Sequence, residues 1–431
     1  MLRRAGEACT RFTQEYIPNP FIFAILLTIL VYLLGLILTP SGPLELVVHW
    51  YEGFWDLLSF SMQMVAILLF GYVLAASPPA RHIIKAAAKF PKTPSQAIIL
   101  VTVLAILFGF ISWGLGLIIG AISAREICTE AKKRGIKVHY PLAAAAGFTG
   151  LIIFNNGFSA SAPLLTNTKG HFLESEIGLI PITQTILSPE NLITFVIFLV
   201  VIPVVYMRMH PRLEDTEEIT SEQGYSQEEL EPGELAAVDR LMADQKETTH
   251  TMQQSRVPFA ERLENAAPFS IIIVATGFIY VIYHFYENGF DLNLNLVNFI
   301  LLIVGMLAYR NPMAYVRAVD EAIGACGQIV LQFPFYAGIM GIMASSGLVS
   351  IFAEWLVAIS NQYTLPITSL ISAGIVNLAV PSAGGQWAVQ GPLLMEAAQM
   401  LDVDYGIIIL AFSYGDQLTN GIQPMWRCFS S

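Results

Sequence analysis

Charged side chains are scarce in this sequence. They make up 13% of its 431 residues, whereas 55% are hydrophobic; soluble domains carry roughly a quarter charged residues. No Lys or Arg occurs between Arg317 and Arg427. The four cysteines have neither metal-binding nor disulfide spacing, so we expect free thiols. The composition excludes an ordinary soluble domain and a disulfide-rich scaffold.

Signatures of catalysis and of nucleic-acid binding are also missing. The H-E-x-x-H motif of metalloproteases is absent. An intramembrane aspartyl protease needs two acids, and only Asp416 lies well inside an apolar segment. No basic stretch interleaved with aromatic residues suggests nucleic acid. We therefore expect no enzyme, metal site, cofactor or nucleic-acid partner.

Long apolar runs are what the sequence does have, and a bilayer is spanned by about 20 such residues. The uninterrupted runs are 20–39, 58–76, 191–207, 268–286, 294–309 and 326–346. Further apolar segments with interruptions are 97–122, 141–163, 367–400 and 405–426. The sequence thus predicts an all-α polytopic membrane protein.

The placement of Lys and Arg predicts the topology. The N-terminal residues and the loops 77–96 and 123–140 are basic, whereas the loop 40–57 has no Lys or Arg. We therefore expect a cytoplasmic N-terminus without a cleaved signal peptide. About 26 apolar residues separate the two basic loops, too few for two crossings. A re-entrant hairpin with its tip at 112–116 resolves this conflict, because it enters and leaves on the cytoplasmic side.

A second glycine-rich break, VPSAGGQWAVQG at 380–391, predicts another hairpin, entering from the opposite face. The two tips read S-W-G and S-A-G, 270 residues apart, and the sequence N-G recurs at 156 and 420. The matched spans run in opposite directions in this topology. An inverted repeat with discontinuous helices is typical of secondary transporters.

The predicted organisation has three parts. Residues 1–207 form the first membrane repeat, 208–267 an acidic cytoplasmic linker with 14 Asp/Glu and six Lys/Arg, and 268–431 the second repeat. The second repeat has no counterpart of the span 191–207, so we interpret it as truncated at its C-terminal span.

Four segments resemble the bacterial short-chain fatty acid transporter family, the acetoacetate/butyrate permease group of the ion-transporter superfamily. They are FISWGLGL at 110–117, QFPFYAG at 332–338, NLAVPSAGGQW at 377–387 and YGDQ at 414–417. The resemblance runs from about residue 10 to Trp426. It implies a carrier in the bacterial cytoplasmic (inner) membrane whose partners are the bilayer and a small monocarboxylate; homo-oligomerisation is left open. The family members that this chain resembles are longer at the C-terminus and continue past the Gln-Pro-aromatic-Trp stretch into at least one more span. This chain departs from that pattern at Arg427.

A carboxylate held in a dry interior needs compensation, and half-helix N-termini with close backbone N–H groups favour anions. We expect the substrate to be bound at the two tips and the flanking polar residues: Ser112, Trp113, Gly114, Gly116, Asn156, Ser159, Ser382, Gly384, Gly385, Gln386, Thr419 and Asn420.

Asp416 is the expected site of the coupling ion, H⁺ or Na⁺, because intramembrane acids are costly and are functional candidates. The predicted function is cation-coupled uptake of short-chain fatty acids by alternating access. Alternatives stay open at this stage: an anion channel, an inactive truncated carrier, tight packing as the role of the tip glycines, and Asp416 as a satisfied acid near the surface.

Overall fold

The computed structural model describes residues 20–220, 258–380 and 382–421, and these are helices and loops without a strand among them. Long apolar helices dominate: α1 (Pro20–Leu38), α3 (Leu58–Ala76), α5 (Pro94–Ile111), α6 (Trp113–Lys133), α11 (Pro189–Met209), α13 (Ala267–Asn288), α14 (Leu294–Tyr309), α16 (Gly327–Ser346), α18 (Leu365–Ala379), α19 (Ala383–Met400) and α20 (Tyr405–Asn420).

Shorter helices connect them: α2 (Pro43–Gly53), α4 (Pro78–Ala87), α7 (Tyr140–Gly147), α8 (Gly150–Ile153), α9 (Ser161–Thr166), α10 (Glu174–Ile177), α12 (Phe259–Glu264), α15 (Pro312–Ala322) and α17 (Leu348–Ala358).

The prediction of an all-α polytopic membrane protein is confirmed. Seven helical stretches of the described residues are long and apolar enough to cross a bilayer. All six uninterrupted apolar runs form helices whose ends lie within two residues of the predicted bounds. The outward side chains of α1 and α11 are largely exposed leucines, isoleucines and valines, as expected of helices that face lipid.

The first predicted hairpin is a helix pair, α5 and α6, separated by a single extended residue. Ser112 has φ −157° and ψ 134°, which ends one helix and begins the next. Thr93 caps the start of α5, since its hydroxyl oxygen accepts from the Gln96 N–H at 3.3 Å. The second arm is apolar only in its first half, and basic residues follow at its end.

The second predicted hairpin repeats this arrangement with α18 and α19. Ser382 precedes α19 with φ −153° and ψ 105°. Its hydroxyl oxygen accepts from the Gly385 N–H at 3.3 Å and caps the helix. Both breaks therefore place an extended serine directly before the second arm.

Loops in the sequence prediction contain helices in the structure. The helices α2, α4 and α15 each have Pro in the first turn, where its missing N–H leaves no intrahelical bond unmade. They are short, and their apolar residues line one face instead of forming a continuous run. The apolar segment α17 also lies between two predicted spans.

The described residues form two compact units assembled from separate parts of the chain. One contains residues up to 64, residues 160–192 and residues from 328 on; the other contains 65–159 and 193–327. We call them the α19 unit and the α6 unit after the second arms that they contain. The two-repeat organisation in sequence, 1–207 and 268–431, stays a prediction.

The predicted linker, 208–267, lies partly outside the described residues, at 221–257. Its first residues belong to the α6 unit and pack against other residues of that unit. The Tyr140 N–H donates to the Glu217 carbonyl at 2.8 Å, and the Glu217 N–H donates to His139 Nδ1 at 3.0 Å. Ile219 is buried against Ala97, Ile98 and neighbouring apolar side chains.

Candidate functional site

Polar side chains are buried deep in the α19 unit, where α18, α19 and α20 pack together. The closest approach is between α18 and α20. A Cβ on Gly415 would lie 2.7 Å from the Ala373 Cβ and would collide with the Leu370 carbonyl oxygen. Only glycine permits this approach, so the two helices form one tightly packed pair.

Asp416 lies on the α20 side of this pair and is completely buried, with 0% exposure. The Asn420 side-chain amide donates to Asp416 Oδ2 at 3.2 Å. The Asp416 backbone carbonyl accepts from Asn377 Nδ2 at 2.6 Å. Burying an ionised carboxylate at this depth is unfavourable in free energy unless hydrogen bonds, a bound proton or a bound cation compensate its charge.

Asn377 connects α18 to the polar end of α20. Besides the Asp416 carbonyl, its Nδ2 contacts Thr419 Oγ1 and Asn420 Oδ1, both at 2.8 Å. The predicted site residues Thr419 and Asn420 thus lie together with Asp416. Asn377 was not among the predicted site residues, although an Asn within the apolar segment 367–400 was a signal in the sequence; in the structure it is fully buried.

The second tip is surrounded by aromatic side chains. A Cβ on Gly384 would lie 3.2 Å from Met64, Phe333 and Phe60. A Cβ on Gly385 would collide with the ring of Tyr336. Both glycines therefore allow α19 to approach these rings closely.

Gln386 belongs to a buried amide ladder behind the tip. Its Nε2 donates to the Ala373 carbonyl at 2.8 Å and to Gln390 Oε1 at 2.9 Å. Gln390 in turn donates to Ser372 Oγ at 2.7 Å. Beside them Trp387 is 0% exposed and packs on Phe412, with 4.9 Å between ring centroids. The ladder joins α19 to α18 and fixes the rotamer of Gln386.

The first tip lies in the α6 unit and is closed by the chain after α8. The Trp113 N–H donates to Ser159 Oγ at 2.8 Å, so Ser159 caps the second arm. Ser112 is fully buried and Trp113 is half-buried. The N-terminus of α6 is thereby fixed by a side chain 46 residues away.

Glycines at the first tip lie against backbone. A Cβ on Gly114 would lie 3.1 Å from the Leu68 carbonyl oxygen. A Cβ on Gly116 would collide with Gly109 of the first arm. Asn156 is fully buried in the turn after α8, and the adjacent Phe158 N–H donates to the Phe110 carbonyl at 2.7 Å.

The structure therefore places the predicted site residues in two groups. Those from 382 to 420 lie in the α19 unit, and those from 112 to 159 lie in the α6 unit. Lys and Arg are absent from the sequence 318–421, which contains the hairpin of the α19 unit. Within the described part of the chain, no three His, Cys, Asp or Glu residues cluster as a metal site would require.

Membrane-length helices, two interrupted hairpins and a buried polar centre define the class: a multi-pass membrane transporter. The family pattern described as short chain fatty acid transporter matches residues 1–429. The chain belongs to that family.

Two similar proteins are themselves named as short-chain fatty acid transporters. The protein from Escherichia coli (strain K12) is 37% identical over 426 residues, which cover 99% of this chain and 92% of that protein. The protein from Haemophilus influenzae (strain ATCC 51907 / DSM 11121 / KW20 / Rd) is 35% identical over 433 residues, with the same two coverages.

Two solved structures are similar over most of their length. Neisseria gonorrhoeae MtrF, described with a class of antimetabolite efflux pumps, has 13% identity and a TM-score of 0.48, covering 98% of this chain and 88% of its own. The Alcanivorax borkumensis YdaH transporter, described as having an unusual topology, has 15% identity and a TM-score of 0.46, covering 96% and 90%.

Proposed function

We propose that this protein takes up short-chain fatty acids, such as acetoacetate and butyrate, by cation-coupled alternating access across the bacterial inner membrane. Its N-terminus is cytoplasmic in this proposal, and its coupling ion is H⁺ or Na⁺. The observation that carries the proposal is Asp416, an acid with 0% exposure on an apolar helix of a transporter-family chain.

Charge balance supports coupling to a cation. The substrate brings one carboxylate, and Asp416 supplies another within the same polypeptide. Two anions in a membrane interior are unfavourable unless positive charge accompanies them. Since the sequence 318–421 has no Lys or Arg, a bound proton or cation at Asp416 compensates the charge that a basic side chain would otherwise offset.

We assign the carboxylate of the substrate to the start of a hairpin's second arm, and each tip is a candidate by itself. The N-termini of α6 and α19 carry the partial positive charge of a helix start, which favours anions. Serines occupy both positions, Ser112 and Ser382, and Ser382 is half-buried. The flanking polar residues Asn156 and Ser159 at the first tip, and Gln386, Thr419 and Asn420 near the second, would complete the hydrogen bonds.

Packing accounts for part of the glycine content at these tips. Gly116 and Gly385 each face an atom that leaves no room for a Cβ. The tips nevertheless contain buried Ser, Asn and Gln side chains, which close helix packing does not require. We therefore assign the glycines to close backbone approach and the polar side chains to the substrate.

Concentrative uptake tests the proposal against a channel. Cells that produce the protein should accumulate labelled butyrate above its external concentration. Accumulation should collapse with an uncoupler if H⁺ is the coupling ion, or upon replacement of Na⁺ if Na⁺ is. Flux that only follows the butyrate gradient would favour an anion channel, and absence of any flux would favour an inactive carrier.

Competition tests the substrate class. Unlabelled acetoacetate and butyrate should each inhibit uptake of the other, because both present one carboxylate on a short chain. A dicarboxylate should not compete, since its second charge would lack a partner at the tips. Equal inhibition by a dicarboxylate would contradict the assignment of a monocarboxylate site.

A further inference from the structure

We propose that Asn377 is a positioning residue that sets the proton affinity of the Asp416 carboxylate by orienting the amide of Asn420. The inference rests on the proposed coupling role of Asp416 and adds a residue to it. Asn377 lies on the first arm of the second hairpin, while Asp416 and Asn420 lie one turn apart on α20.

The orientation follows from the order of donors and acceptors. Asn377 Nδ2 lies 2.8 Å from Asn420 Oδ1, so Asn420 turns its carbonyl towards Asn377. The NH₂ end of Asn420 then faces Asp416 and donates to Oδ2 at 3.2 Å. A donor on a carboxylate stabilises its ionised form. Asn377 thereby keeps Asp416 in the state that accepts a proton or a cation.

The same side chain also fixes the position of the acid. Asn377 is 0% exposed, and its Nδ2 also lies 2.6 Å from the Asp416 carbonyl oxygen and 2.8 Å from Thr419 Oγ1, so the two N–H groups of the amide are shared among three acceptors. The close contact of Gly415 with the Ala373 Cβ keeps α18 against α20 at this level. Orientation of Asn420 therefore depends on the packing of one hairpin arm.

Few charged residues lie on α20 and on the three helices that pack most on it. The helices α18, α19 and α9 pack on α20. Glu396 on α19 is the only Asp, Glu, Lys, Arg or His of these three helices. Burial raises the pKa of Glu176, and the charge of Glu396 adds to this rise, so Glu396 lies near Glu176. On α20 itself the other titratable groups are Tyr405 and Tyr414, and Asp404 caps its start through a bond to the Ile407 N–H at 3.2 Å.

Two substitutions separate orientation from charge. Asn377→Leu removes the donor without adding a charge. Asn377→Asp replaces the donor with acceptors, so Asn420 would turn its NH₂ end to residue 377 and its oxygen to Asp416, and a like charge is added. Both changes disfavour the ionised form of Asp416.

We expect the pH profile of butyrate uptake to move to higher pH, by about one unit in Asn377→Leu and further in Asn377→Asp. The direction is the same for either coupling ion, because tighter proton binding moves the protonation of Asp416 to higher pH in both cases. The measurement is the initial uptake rate in proteoliposomes between pH 5 and 9, with the melting temperature of each purified variant recorded alongside.

Asn361→Asp is the matched control. Asn361 makes its bonds as an acceptor, from the Tyr363 and Thr364 N–H groups at 2.9 and 3.1 Å, so an aspartate preserves them, and its profile should coincide with that of the unmodified protein. If neither Asn377 variant accumulates butyrate, Asn420→Ala is used instead. It removes the donor to Asp416 directly and should produce the same shift of the pH profile.

The outcomes distinguish the inference from the proposed function. Loss of accumulation in Asp416→Asn together with unshifted profiles in the Asn377 variants, or in Asn420→Ala where it replaces them, overturns only the role of Asn377. Full accumulation in Asp416→Asn overturns both. Equal shifts in the Asn361 control and the Asn377 variants would also overturn the inference, because they would show a nonspecific effect.

Discussion

At the scale of single residues, the second tip depends on side chains that are missing or uncharged. Gly384 and Gly385 bring the start of α19 against aromatic rings, and Gln386 is held by two acceptors behind them. A helix start with so little bulk keeps its N–H groups close to the space where a small anion would bind.

Gly384→Val should abolish uptake. The new Cβ would lie 3.2 Å from Phe60, Met64 and Phe333, and the two methyl groups would need further room. Overpacking of this kind costs about 1–3 kcal/mol of stability. Gly324→Val is the control, because a Cβ at Gly324 meets nothing within 4 Å. Normal uptake in Gly384→Val, measured at equal protein level, would remove the tip from the binding site.

His171 makes a pH-dependent contribution to stability in the loop after α9. Its Nε2 donates to the Gly178 carbonyl, and its Nδ1 accepts from the Leu173 N–H. Burial lowers the pKa of His171 below its usual 6.5, and the Gly178 carbonyl and Glu174 oppose this only in part. The unfolded chain therefore binds the proton more readily than the folded one.

The stabilisation by His171 is present above about pH 6.5 and is lost as the pH falls through the lowered pKa. We expect the melting temperature of the purified protein to fall between pH 7.5 and pH 5.5 by more than it does in His171→Gln. Identical pH dependence in the two proteins would contradict this assignment.

Asp416 could be selected from the sequence, because it is the single acid well within the apolar segments of the second repeat. Asn377 could not be selected in this way. Its importance lies in a partner 43 residues away, and spacing along one helix does not reveal which neighbouring helix supplies that partner. The hydrogen bond by which Ser159 caps the Trp113 N–H could not be predicted for the same reason, since the two residues lie 46 positions apart.

At the scale of helices, the two breaks were predictable and several short helices were not. Extended serines end the first arms at the positions where glycine and polar residues interrupt long apolar runs. The helices α2, α4 and α15 were not predicted, because amphipathic segments of 10 or 11 residues resemble loops in a hydropathy profile. Their folding depends on tertiary contacts more than on local propensity.

The pairing of α18 with α20 can be tested at Gly415. In Gly415→Ala the Cβ would collide with the Leu370 carbonyl and lie 2.7 Å from the Ala373 Cβ, so the helices must separate and the Asn377 bonds must lengthen. We expect a lower melting temperature and loss of concentrative uptake. Gly327→Ala, with nothing within 4 Å of the new Cβ, should match the unmodified protein in both measurements; wild-type behaviour of Gly415→Ala would show that this contact is dispensable.

At the scale of the whole molecule, the sequence predicted the helical membrane class and the family to which the chain belongs. The composition of the two compact units could not be predicted, since each combines segments from distant parts of the chain. Hydropathy reports which segments are apolar, whereas tertiary packing decides which of them associate.

The predicted topology places the bases of the two hairpins on opposite faces of the membrane. Single cysteines at Lys92 and Tyr363, both exposed, would report on this in a background in which Cys9 and Cys428 are serine. Position 92 should react with a membrane-impermeant maleimide only after permeabilisation, and position 363 in intact cells. Labelling of both positions from the same face would contradict the inverted repeat.

Cation-coupled uptake depends on Asp416 in the proposed function, since coupling requires a site that exchanges its ion during transport. The direct measurement is accumulation of labelled butyrate in proteoliposomes under an imposed H⁺ or Na⁺ gradient, with the unmodified protein and Asp416→Asn at equal density. We predict accumulation above equilibrium by the unmodified protein and none by Asp416→Asn, at similar melting temperatures. Equal accumulation by the two proteins would contradict it.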